Sequence, residues 1–217
     1  MFVPVYLDGD DEDAQANGER FGVMGYPTMV VFDAEGTELT RIPSGIDIQA
    51  YANVLDLTLM ASSSARSLVE GVMSGNDSLT ENECSLLAYH SWGQDSDMSE
   101  DFDLLDGFRR MYEACPVQLD AERSILYMSW LDESLSADSE ADEPLALSDQ
   151  QRDEAVRILE SILADPVWTR ANIFRVVIDG PKYTSLLTDP ASARRGELTR
   201  AYYRTLDSIA ADESIYK

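Results

Sequence analysis

A proline stands where a tight turn meets a strand-forming run: Gly25-Tyr26-Pro27-Thr28 leads directly into Met29-Val30-Val31-Phe32. Proline brings no N–H to that junction, and an X–Pro bond reaches the cis form for only about 0.5–1 kcal/mol, so the surrounding fold can hold either isomer. Other residues of chemistry-bearing type are weaker candidates. The run from Asp8 to Asp13 places carboxylates at alternate positions, with Glu19 twelfth from Asp8 as in a calcium loop, but Asp13 occupies the sixth position, where that loop turns on glycine. Asp95 to Asp106 reads as a solvated loop with N-capping acids. Cys84 and Cys115 form no Cys-x-x-Cys pair, and with His90 as the single histidine no metal-ligand cluster is spelled out. Both cysteines fall in or beside apolar helical patterns and read as buried thiols, with a disulfide as the alternative. His90 has no nucleophile motif near it and reads as a helix-surface or core histidine. The expectation is therefore no catalytic residue, no metal and no cofactor.

The elements that position these residues follow from periodicity. Phe2 to Leu7 is a short β-branched and aromatic run ending at Asp8-Gly9, a strand followed by a turn. Asp11 to Phe21 is polar and helical, with acids near its positive end. Asp33-Ala34-Glu35-Gly36 is hairpin-turn chemistry between "TMVVFD" and "TELTRI". Asp47 then caps a helix with Ile48, Tyr51, Ala52, Leu55 and Leu59 on one face. The order is β-α-β-β-α over residues 1–60.

Residues 61–217 show no further strand alternation and form a helical domain of about seven helices by periodicity. Thr80 to Glu83 and Ser148 to Gln151 are capping boxes, and Asp165-Pro166 and Asp189-Pro190 look like N-caps followed by proline at the first helical position. Asp138 to Glu143 is a solvated linker. Trp92, Trp130 and Trp168 recur every 38 residues, but at different helical phases, which favours an irregular bundle over a solenoid. The fold class is thus α/β plus all-α.

The formal net charge is −25, which argues against a nucleic-acid backbone as partner. The charge is uneven: residues 166–217 hold 8 basic against 6 acidic side chains (+2), leaving 8 against 35 (−27) in the first 165. The acidity reads as a solvating surface; the alternative is that Arg194, Arg195, Arg200 and Arg204 dock the last helix on an acidic body or on an anionic partner. No window reaches the roughly 20 apolar residues of a membrane span, and the first ten residues lack the basic and apolar regions of a secretory signal.

The stretch "RFGVMGYPTMVVFDAEGTELTRIPSGIDIQAYANVLD", Arg20 to Asp56, resembles the C-terminal half of a thioredoxin-like domain of the kind found in bacterial disulfide-exchange systems. Helix, Gly-Tyr-Pro-Thr, strand, turn, strand, Gly45 and helix come in order. The resemblance covers about a quarter of the chain and does not extend to the helical remainder. It implies that the Tyr26–Pro27 bond is cis and that Tyr26, Pro27 and Thr28 bind a peptide by main-chain strand addition. The family's Cys-x-x-Cys precedes the matching part, so the expected function is that of the thiol–disulfide exchange class without its redox motif, redox-inactive as it stands. The chain would be an oxidoreductase only if an upstream Cys-x-x-Cys segment belongs to it, a truncated or misplaced start being the favoured explanation. In the family's sheet a strand of that absent half separates the equivalents of Phe2–Leu7 and Thr28–Phe32. The unit is therefore expected to expose two strand edges, close up, or accept a strand from elsewhere, a homodimer included. Localisation is cytoplasmic as written, periplasmic or exported if a signal precedes. The alternative function is a non-enzymatic protein–protein interaction protein acting through the helical domain.

Overall fold

The computed structural model describes residues 2–25, 27–43, 46, 48–136 and 147–212, and residue 13 by its main chain alone. Among them the architecture is mostly helical, with one small antiparallel hairpin. The expected linker at 138–143, the cap Asp47 and Gly45 lie outside the described residues. The chain divides into two compact units, Met1–Ala114 and Cys115–Lys217.

The first unit opens without its expected strand. Residues 2–7 are irregular, and Val3, Val5 and Tyr6 are exposed. A β-branched run becomes a strand only where a neighbour completes its ladder, and none of the described residues does so; Phe2 alone packs on the core beside the sheet. Helix α1 (Glu12–Arg20) ends in a glycine cap: Gly22 takes φ +58, its N–H reaches Glu19 O, and the Val23 N–H reaches Gly18 O. Strands β1 (Met29–Phe32) and β2 (Glu38–Ile42) pair with Met29 opposite Ile42, Val30 opposite Arg41 and Val31 opposite Thr40. Asp33 builds their turn, its Oδ1 accepting the N–H groups of Glu35 and Thr37 at 3.0 and 2.7 Å, with Gly36 at φ +86.

Helix α2 (Ile48–Met60) packs on this hairpin with Val54 and Thr58 buried and Tyr51 and Leu55 partly so. That stripe runs 51, 54, 55, 58. It differs from the expected one because Ile48, Ala52 and Leu59 face outward. Both stripes are apolar; the core of Val31 and Ile42 selects the one containing Val54. Helices α3 (Ala65–Met73), α4 (Glu81–Ala88), α5 (Ser96–Asp101) and α6 (Leu104–Ala114) complete the unit. Thr80 forms the expected capping box with Glu83. The stretch expected as a loop from Asp95 instead holds α5, whose cap Asp95 accepts the Met98 N–H at 3.2 Å.

The second unit contains α7 (Asp120–Ser136), α8 (Asp149–Ala164), α9 (Pro166–Ala171), α10 (Gly180–Leu187) and α11 (Ala193–Ala211). Ser148 and Gln151 make the second capping box, and Asp165 caps α9 ahead of Pro166. Asp189-Pro190 does not start a helix. Asp189 holds a turn by accepting the Ala191 N–H, and Ser192 caps α11. A π-helical turn, Arg175–Asp179, immediately precedes Gly180-Pro181; proline removes a ladder hydrogen bond and crowds the preceding turn, which a wider turn relieves. Gly180 is obligatory there, since a β-carbon would run into the Tyr202 ring. Arg194 docks α11 on α8 through Glu160 and Asp153, each at 3.2 Å.

The two cysteines are not free thiols. Cys84 of α4 and Cys115, directly after α6, are disulfide-bonded and are 0% and 3% exposed. Two cysteines in apolar helical settings are equally suited to separate burial or to pairing; only their proximity in the fold decides. Closing a loop of this length restricts the unfolded chain by about 3–4 kcal/mol. Replacing both cysteines by alanine is expected to lower the stability of the wild-type oxidised protein by that order, measured by urea denaturation, with dithiothreitol shifting the wild type toward the variant and leaving the variant unmoved.

Candidate functional site

The Gly25–Thr28 turn sits between α1 and β1, and what lies beneath it is a single buried cation. Arg41 projects from β2 with its side chain 2% exposed. A guanidinium has five N–H donors in a fixed plane, and Arg41 places all five. Nε donates to Glu38 Oε1 at 2.7 Å and Nη2 to Glu38 Oε2 at 3.1 Å. Nη2 also donates to Phe21 O at 2.6 Å, and Nη1 donates to Gly22 O at 3.0 Å and to Gln94 O. The end of α1, the strand β2 and the 3-10 turn Trp92–Gln94 are thus tied to one side chain. Burial alone would weaken the charged form, but the Glu38 hydrogen bond and the Glu38, Asp95 and Asp97 charges prevail and raise the Arg41 pKa.

Gln94 carries this anchorage to the turn. Its main chain is held by Arg41. Its side-chain amide lies 3.2 Å from the Thr28 hydroxyl, which donates to Gly25 O at 2.5 Å. A β-carbon on Gly25 would meet the same Gln94 amide at 3.6 Å. Phe21 and Phe32 stack with centroids 5.1 Å apart, fixing α1 against β1 beside the turn. Of the three residues expected to bind peptide, Thr28 is half-buried in these bonds and Pro27 is exposed; Tyr26, and with it the isomer of its bond to Pro27, lies outside the described residues. Met24 and Met29 add exposed apolar surface on either side.

The other flank of Arg41 is a buried relay. Asp95 Oδ2 lies 3.6 Å from Arg41 Nε and 3.1 Å from His90 Nε2. His90 Nδ1 meets the Thr40 hydroxyl at 3.0 Å and the Arg41 main-chain N–H at 3.3 Å. An N–H can only donate, so Nδ1 accepts and the ring proton sits on Nε2, facing Asp95. Hydroxyl, imidazole and carboxylate in line would suit nucleophilic catalysis, but Thr40, His90 and Asp95 are 0%, 4% and 6% exposed. Their geometry serves the sheet instead: the imidazole accepts from the outer edge of β2, and the Ser91 N–H donates to Arg41 O at 2.9 Å. His90 then stacks edge-on with Trp92, and Trp92 with Phe108 of α6.

Sequence reasoning missed Arg41. The one signal for it was a lone arginine three residues after Glu38 in the same short strand; its remaining acceptors are main-chain carbonyls, which no residue type announces. Among the described residues no three His, Cys, Asp or Glu side chains gather as a metal site. No helix there is long and apolar enough to cross a membrane. In the second unit, a surface depression of about 580 Å³ lined by Gln150, Asp153, Arg157 and Arg194 has its Arg194 already paired. Comparison with protein-family models, with curated proteins and with solved structures found no match.

Asp95 gives this site a pH signature. Burial would raise its pKa, but the hydrogen bond from His90, the Arg41 charge and the Met98 N–H together hold it below the usual 3.8. A depressed carboxylate contributes stability that is fully present above the unfolded value and lost as pH falls through the folded one. Asp95→Asn is therefore expected to be less stable than wild type at pH 7, by roughly 1.5–3 kcal/mol for hydrogen bonds to a charged group. The gap should narrow as pH drops below about 3.8. Denaturation midpoints measured across pH check this; a constant gap would contradict it.

Proposed function

We propose that the first unit is a thioredoxin-like peptide-recognition element of the thiol–disulfide exchange class, acting through the Gly25–Thr28 turn and the strand it opens. The observation that carries this reading is the anchored turn itself. Pro27 and two methionines are exposed, while Thr28, Gln94 and Arg41 hold the backbone behind them in place. Preorganised main chain is what strand addition requires, because the peptide then loses entropy alone.

Dithiol exchange is not assigned to Cys84 and Cys115. They are bonded to each other, buried, and placed within and after helices rather than at a strand-to-helix turn, where a cysteine's thiolate would be favoured. Exchange chemistry would come from a Cys-x-x-Cys elsewhere in the native polypeptide. A disulfide of this kind is compatible with an oxidising compartment.

The alternative, an interaction protein working through its helices, has one observation in its favour: Phe174, Val177 and Ile178 are exposed at helical spacing around the π-helical turn. A titration with an unfolded, cysteine-free polypeptide, followed residue by residue by NMR, separates the two readings. Shifts are expected at Gly25, Thr28 and Met29. Shifts confined to Phe174 through Ile178 would reject the peptide-turn reading in favour of the helical one.

A further inference from the structure

His90 is the one histidine of the chain, and its ring is bonded into the outer edge of β2. Nδ1 accepts the Arg41 main-chain N–H at 3.3 Å and meets the Thr40 hydroxyl at 3.0 Å, while Nε2 lies 3.1 Å from Asp95 Oδ2. One residue on, the Ser91 N–H donates to Arg41 O at 2.9 Å. An imidazole accepts only through a bare nitrogen; with both ring nitrogens protonated it can only donate. A second proton and the Arg41 N–H therefore compete for the same lone pair. Thr40 can adapt by turning its hydroxyl round to accept. The Arg41 N–H cannot. Thr40, Arg41 and His90 are 0%, 2% and 4% exposed, so that N–H would be left a buried donor without an acceptor, which folded proteins rarely keep.

The charges that face the ring come from two elements. From β2, the Arg41 guanidinium lies 3.6 Å from the Asp95 oxygen that the imidazole faces, with Glu38 paired to it from behind. From the start of α5 come Asp95 itself and the exposed Asp97, whose charge acts on Arg41. Helices α4 and α6 approach through uncharged groups, the Leu87 carbonyl that accepts the His90 main-chain N–H and Phe108 by way of Trp92. Asp95 favours an imidazolium beside it, but Arg41 already shares that carboxylate and opposes a second cation. The segment that carries the ring also carries Gln94, whose carbonyl holds Arg41 Nη1 and whose side chain lies 3.2 Å from the Thr28 hydroxyl. A change at His90 thus has a short covalent route to the anchor of the Gly25–Thr28 turn.

We propose that His90 is an acid-released latch: one proton taken up from solvent on Nδ1 displaces the Arg41 N–H, frees the outer edge of β2 from residues 90–91 and slackens the Trp92–Gln94 segment. No covalent bond breaks, and the imidazole gains one positive charge. Because the released state holds one proton more than the latched state, release grows as pH falls. The device depends on the bonds around Arg41 and is independent of whether the turn binds a peptide.

The test is a titration of the full chain between about pH 8 and pH 5, the window in which histidine changes charge. Nitrogen-15 shifts of the single imidazole report which ring nitrogen carries a proton. Amide hydrogen exchange, corrected for the intrinsic effect of pH, reports the latch. At the upper end Nδ1 is expected to be bare and Nε2 protonated, with the Arg41 and Ser91 amides protected. As the second proton arrives, both amides should lose protection by up to about tenfold per pH unit, the slope of a one-proton step. Val156 and Leu159, buried in α8, should keep theirs. His90→Gln has an amide that can accept the Arg41 N–H but takes up no proton, and its protection at Arg41 should not change over this window. The proposal is overturned if the imidazolium forms with the Arg41 amide still protected, or if the ring stays neutral until Val156 and Leu159 open as well. It is also overturned if His90→Gln loses protection over the same range as wild type. Should that variant not fold, the first two outcomes decide in wild type alone.

Discussion

A guanidinium withdrawn from water must find an acceptor for every N–H it carries, and in the first unit Arg41 finds them in three places far apart in sequence. Glu38 neutralises its charge, while the carbonyls of Phe21, Gly22 and Gln94 complete its plane. That requirement explains several local features. Gly22 adopts positive φ, ending α1 with its carbonyl turned to Arg41. The 3-10 turn Trp92–Gln94 holds Gln94 O against the same group. Breaking such a buried pair from one side generally costs about 3–5 kcal/mol, because the remaining charge is left uncompensated. The hairpin is too small to be stable alone, and this cation supplies part of what its short strands cannot.

The same residue links the turn to the buried relay. Arg41 faces the turn on one side through Gln94 and the His90–Asp95 relay on the other. The relay closes the outer edge of β2, and the turn that carries the exposed Pro27 leads into β1 on the other side of the hairpin. The second unit is organised differently, around apolar residues such as Tyr127, Leu131, Leu159 and Tyr183. There Tyr183 donates to Asp132, which also accepts from Arg175. Burial first, and then the Asp132 carboxylate, hold the Tyr183 phenol protonated well above its ordinary range.

What could be read from residue order was the part governed by local chemistry. Asp33 and Gly36 announce a hairpin, and Thr80, Ser148 and Asp165 announce helix starts, because each turn or cap is built by residues within four positions of one another. Features set by distant partners were not legible. The run from Phe2 to Leu7 has the composition of a strand but no neighbour to pair with among the described residues. Helix α2 carries two apolar stripes, and only the packed hairpin decides between Leu59 and Thr58 for the inner face. Cys84 and Cys115 are bonded, which their local residue patterns do not distinguish from separate burial. Of the candidate site, Pro27 and Thr28 could be named from residue order as candidates, whereas the cation anchoring the chain around them could not.

The central claim is that Arg41 rigidifies the Gly25–Thr28 turn, and backbone order parameters from nitrogen-15 relaxation test it most directly. In wild type, Gly25, Thr28 and Gln94 should show the roughly 0.85 of rigid backbone. In Arg41→Lys, which keeps the charge but cannot reach three carbonyls and a carboxylate from one plane, those residues should fall below about 0.6 while α3 and α6 stay unchanged. Order parameters at Gly25, Thr28 and Gln94 that match wild type in a folded Arg41→Lys protein would contradict the account.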